Sequence, residues 1–176
     1  MDPLSFPVLT GAALTQAFTF LYGRLSAALD RRAEARDRVA VPDVLQGELR
    51  FPLSPDELEV TNREEALIAM RDALEVFNDQ GQGHLLDGSN EGVRRSLARL
   101  RGALEAVYGQ RITFAGEERP ATGSPVVDQR LGTVRGKVTG MDADEVSGRA
   151  QVIQDARTVE ADAEVVGIKS KRIIGG

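Results

Sequence analysis

Few residues in this chain have the means to do chemistry, and none of them comes with the partners that chemistry needs. The only histidine, His84, lies in Gly81-Gln82-Gly83-His84-Leu85-Leu86-Asp87-Gly88. An imidazole in a glycine-rich loop can serve as a general base. Here no serine or cysteine nucleophile sits in a recognisable elbow, and no second histidine is present to share a metal. The loop also lacks the Gly-Lys-Ser/Thr ending of a phosphate-binding loop. His84 therefore reads as an exposed loop residue. Asp142-Ala143-Asp144-Glu145 offers carboxylate oxygens to a hard cation. Its spacing is not that of a calcium-binding loop, and in a strand Asp142 and Asp144 share one wet face. The chain has no cysteine, which excludes disulfides and thiolate metal sites. No catalytic, cofactor or metal-binding group emerges, and the expectation is a protein that is not an enzyme.

Charge narrows the partners. Lys and Arg number 22 against 27 Asp and Glu, a net charge of −5, which argues against a nucleic-acid binder. Residues 131–176 carry seven basic and seven acidic side chains, so this stretch is neutral and the deficit belongs to residues 1–130. Without self-repulsion, a β-rich segment is free to stack on copies of itself.

Residues 3–23 contain no charged side chain, and that length approaches a membrane span. Pro7, Thr10, Gly11, Thr15, Gln16 and Thr19 make it a poor one, and no basic region precedes it as a signal peptide requires. The favoured reading is an amphipathic helix over 10–36 with Thr10 as N-cap. Its apolar stripe is Leu14, Phe18, Leu21, Leu25 and Ala28 or Leu29. Membrane contact is the alternative.

Residues 37–60 read as a connection, with Ser54-Pro55-Asp56-Glu57 starting only a brief turn. Thr61-Asn62-Arg63-Glu64 then caps a helix over 62–80, with Leu67, Met70, Leu74 and Phe77 on one face. Asn90 or Ser89 caps another over 91–108, with the seam Val93, Leu97, Leu100, Leu104 and Val107 and a stop at Gly109. Arg94, Arg95, Arg99 and Arg101 lie off that seam and read as solvated. The two helices are expected to form an antiparallel hairpin. Residues 116–130 gather both remaining prolines with Gly, Ser and Thr, a linker composition.

Beyond that point there is no aromatic residue, and valine and isoleucine recur at short intervals. Three units superpose, Val138–Val146, Val152–Val159 and Val165–Ile173, and their starts are almost evenly spaced. Gly136, Gly148 and Ala161–Ala163 fall where corners would go. From Val159 to Val165 the alternation is that of a half-buried strand. Two architectures fit, an antiparallel meander and a short solenoid of three coils with open ends; a third possibility is a small sheet folded back on the helices.

The fold class expected is α+β. A three-helix arrangement (hairpin 62–80/91–108 plus helix 10–36) occupies residues 1–114, a Pro/Gly linker 115–130, and a β-repeat tail 131–176. The candidate interaction residues are Val138, Val146, Val152, Gln154, Val159, Val165, Ile168 and Ile173, and the partner is the chain itself or a protein with a matching β segment. A structural subunit of a filament or particle is the second reading, and the cytoplasm is the expected setting.

The helix LTQAFTFLYGRLSAAL, the stretch RITFAGEERP and the valine-rich tail resemble small actinobacterial proteins that accompany effector and conflict systems. The resemblance implies a tail that acts as a β-stacking interaction element and an adaptor role. The Ile/Val-Gln-Ile/Val-Gly core of related interaction motifs is only approached, by Val152-Ile153-Gln154-Asp155 and Val165-Val166-Gly167. No site residue is therefore carried over.

Overall fold

A computed structural model describes residues 5–30, 40–51, 53–78, 86–147 and 151–174. It is an α+β protein with, among the described residues, three helices, α1 (Gly11–Asp30), α2 (Glu57–Asn78) and α3 (Glu91–Tyr108). They are followed by four strands, β1 (Val126–Val134), β2 (Lys137–Ser147), β3 (Gln151–Val159) and β4 (Glu164–Ile174). Gly81, His84, Gly148 and the far end of the expected helix 10–36 lie outside the described residues.

The helices follow their apolar periodicity. Leu14, Phe18, Leu21, Leu25 and Ala28 of α1 are buried as expected, and so are Ala17, Phe20, Tyr22 and Ala27. The uncharged stretch thus serves as the core of the helical layer, joined by Phe6 and Leu9. No helix among the described residues is long and apolar enough to cross a membrane. On α3, Leu97, Leu100, Leu104 and Val107 are fully buried. Asn90 caps that helix by accepting from the backbone N–H groups of Gly92 and Val93, and Gly109 ends it in the left-handed region at φ 63°.

Helix α2 begins earlier than the sequence pattern suggests. Asp56, whose side chain accepts from Leu58 N–H at 2.9 Å and Glu59 N–H at 3.2 Å, is its cap. Thr61 is internal and donates its hydroxyl to the Glu57 carbonyl. The brief turn and the helix are one element because the buried Val60 anchors the first turn and Asp56 N–H donates to the Val107 carbonyl.

Residues 110–125, which take in most of the expected linker 115–130, are hydrogen-bonded to residues 44–50. Gln46 N–H donates to the Thr113 carbonyl, Ala115 N–H to Val44 and Thr122 N–H to Gln46. The Gln110 side chain holds Arg50 from both sides, accepting from its N–H and donating to its carbonyl. Ile112, Phe114 and Thr122 are buried.

The tail forms two two-stranded parallel sheets, β1 with β3 and β2 with β4. Val126 lies level with Gln151 and Lys137 with Glu164. The second pass of the chain therefore repeats the first, strand upon strand, at nearly the same offset in both sheets. The antiparallel meander is thereby corrected, since both pairings are parallel. The three expected coils become two passes of two strands. The unit Val138–Val146 stacks on Val165–Ile173, and Val152–Val159 stacks on β1. The alternating run between Val159 and Val165 is a turn, closed by Ala163 N–H donating to the Glu160 carbonyl.

Candidate functional site

Two places concentrate functional groups, a set of buried charges under α3 and the stacked strands. The first is a cross-brace. Arg101, only 1% exposed, donates to Glu117 at 2.6 Å and to the Ser5 carbonyl at 2.6 Å. Its guanidinium also lies over the Phe6 ring, 5.3 Å from the centroid. Glu105 accepts from Arg111 at 2.7 Å, from Arg119 at 2.9 and 3.0 Å, and from Ile112 N–H at 3.0 Å. Glu117 also accepts from Phe114 N–H at 2.8 Å. Burial, which penalises the charged form, lowers the pKa of Arg101, with the positive Arg119 adding to the effect and Glu117 and Glu105 opposing it. Arg101 is thus not the solvated residue expected, because segment 110–125 covers the face of α3 that the α-helical seam leaves free. Each carboxylate is committed to binding the loop to the helix, so the cluster reads as architecture.

A cleft of about 520 Å³ lies between α1 and residues 40–43, lined by Thr15, Thr19, Phe20, Val41 and Pro42, with Asp43 the one ionisable group among the described residues that line it. No group of three His, Asp or Glu side chains that could hold a metal occurs among the described residues.

The stacked strands gather the interaction residues expected from sequence into equivalent levels. Val138 stands level with Val165, Val146 with Ile173, and Met141 with Ile168. Val152 stands level with Val127, Gln154 with Gln129 and Val159 with Val134. Val138, Val152 and Gln154 are half-buried, while Val159, Val165 and Ile168 are exposed. The two sheets approach closely at Gly140. A Cβ there would meet Val152 Cγ1 at 2.3 Å and the Gly167 carbonyl oxygen at 2.6 Å, with Gln154 Nε2 at 3.2 Å. Only glycine admits that approach. Gly140→Val is therefore expected to separate the layers and cost about 1–3 kcal/mol or more. The check is loss of strand signal in far-ultraviolet circular dichroism, with the helical signal retained.

The charged residues of the two passes also pair. Arg135 meets Glu160 at 2.9 Å, Lys137 meets Glu164 at 2.8 Å, Lys169 meets Asp142 at 3.3 Å and Lys171 meets Asp144 at 2.6 Å. Asp142 and Asp144, considered above as cation ligands, are thus engaged by lysines from the second pass. All of these pairs are solvent-exposed, so each contributes about 0–1 kcal/mol; their main effect is to fix register. The corner joins the ladders. Val134 carbonyl accepts from Glu160 N–H and Gly136 carbonyl from Glu164 N–H.

Sequence reasoning missed β1, hidden behind Pro120 and Pro125. The signal that would have found it is the recurrence of Val127-Asp128-Gln129 as Val152-Ile153-Gln154, and of Thr133-Val134 as Thr158-Val159. Comparison with protein-family models, curated proteins and solved structures found no match.

Proposed function

We propose that this is a non-enzymatic self-association protein in which a closed helical unit carries a β tail that pairs with the tail of another copy. The observation that carries this reading is the size of the sheets. Among the described residues each has two strands, and a two-stranded sheet is marginal by itself, with three or more strands the usual requirement for stability. Repeat stacks behave likewise: each repeat buries its faces against neighbours, and stacks of about three or more are needed. Beyond Val126, whose N–H donates to the Gly109 carbonyl, two passes leave a strand edge at each end, which is a template for another chain. No proline follows Pro125 to block that edge. Backbone ladder bonds would supply affinity and the level valines side-chain stacking. The helical unit needs no help from the tail, since its core cluster draws on residues from Phe6 to Phe114. In this reading the protein acts in the cytoplasm as an adaptor, as its resemblance to effector-associated proteins implies.

The test is light scattering of the purified chain across concentration. The full chain is expected to associate, and a chain lacking residues 127–176 to remain a helical monomer. A full-length chain that stays monomeric at micromolar concentration overturns the proposal. Electron microscopy of the associated species separates an open filament from a discrete oligomer.

A further inference from the structure

Resting on that reading, we propose that the second copy docks head to tail, its first pass (β1–β2) in register on the open edge of the second pass (β3–β4), so that assembly is polar and open-ended. The order of charges carries the inference. Where both residues at one level are charged, their signs are opposite. Contacts show this for Arg135 with Glu160, Lys137 with Glu164, Asp142 with Lys169 and Asp144 with Lys171. The register adds Arg130 level with Asp155 and Glu145 level with Arg172.

Charged side chains on an edge, lysine above all, deter an arriving strand that cannot pair them. These edges carry both signs, and the outer edge of one pass is the complement of the other. Each pass is also neutral: residues 126–150 and 151–176 both hold four basic and four acidic side chains. Adding a copy by the same parallel step that relates the two passes places Arg135 of the newcomer beside Glu160, and its Asp142 beside Lys169. Strands in a sheet are about 4.8 Å apart, so at the four contacting levels each charge inside the assembly then lies between two of opposite sign. Packing two first passes through a two-fold axis would run the strands antiparallel and lose every one of these columns.

The experiment mixes the full wild-type chain with a full chain whose contacting pairs are exchanged between passes. The exchanges are Arg135→Glu with Glu160→Arg, Lys137→Glu with Glu164→Lys, Asp142→Lys with Lys169→Asp, and Asp144→Lys with Lys171→Asp. Each intramolecular pair survives the exchange, so both chains are expected to fold and to assemble alone. Together they meet with like charges at the docking edge and are expected to sort into separate assemblies. Two-colour fluorescence should show at least about tenfold less mixing than differently labelled wild-type chains at low salt, with sorting weakened near 1 M salt, where the Debye length falls to about 3 Å. Free mixing at low salt, preferential alternation of the two chains, or failure of the exchanged chain to assemble overturns the head-to-tail order while leaving self-association intact. A wild-type chain that does not assemble at all overturns both.

Discussion

Glu105→Ala is expected to lower the stability of the helical unit by about 3–5 kcal/mol, the usual cost of removing one partner from a buried charge pair. Three donors lose their acceptor at once. Arg111, at 11% side-chain exposure, is left with uncompensated charge, Arg119, at 13%, keeps only Glu117 at 3.9 Å, and Ile112 N–H is left buried and unpaired. A donor stranded in the interior forfeits its full hydration. Helix α3 would then lose its hold on segment 110–125. The measurement is a urea titration: the midpoint should fall with little change in slope, as for a loss of stability without a change in the surface exposed. Glu105→Gln, which keeps an acceptor for Ile112 N–H but removes the charge, should fall between wild type and alanine. A stability change under about 0.5 kcal/mol for Glu105→Ala, the size of an ordinary surface substitution, would show that the cluster does not brace the unit.

The second large effect is expected at the seam. Leu100 is fully buried, among Leu97, Leu104 and the apolar face of α1. Leu100→Asp removes a side chain whose burial contributes about 1.5–3 kcal/mol and puts in its place a carboxylate with no partner, which costs considerably more. Since a domain of this size has about 5–15 kcal/mol of net stability, the helical unit should be largely unfolded at room temperature. A circular dichroism melt matching wild type would contradict the packing of α3 on α1. The contrast between the two variants is informative. Glu105 acts through polar contacts that link a loop to a helix, whereas Leu100 acts through the helix–helix core, so the leucine variant should lose helical signal and the glutamate variant only stability.

Much of the helical unit was legible in the sequence because its determinants are local. The stripe Leu14, Phe18, Leu21, Leu25 and the seam Leu97, Leu100, Leu104, Val107 repeat at the helical period, and each group is buried. Asn90 and Gly109 end α3 through local backbone geometry, Asn90 by bonding the N–H groups of the first turn it caps. The start of α2 was not legible, because two caps compete in sequence and the choice of Asp56 depends on its backbone contact with Val107. Arg101 was misplaced for a related reason. Its position off the seam is a property of the helix, but its burial depends on a loop that folds back over it, held by Glu117.

In the tail the sequence by itself determined that there would be short strands, neutral overall and rich in valine, with a β-stacking repeat. What only the tertiary structure decided was which strand stacks on which. The interval between the unit starts Val138, Val152 and Val165 measures the distance to the next strand along the chain, but a parallel pair cannot close across so short a connection within one sheet. The chain therefore crosses to the second sheet and returns, so that Val138 comes level with Val165 and Val152 with Val127. That doubling recruited β1 from a segment with the composition of a linker, turned the alternating run at Val159–Val165 into a corner, and placed acids opposite bases at successive levels. Sequence supplied the charges, and the winding of the chain set them in complementary order.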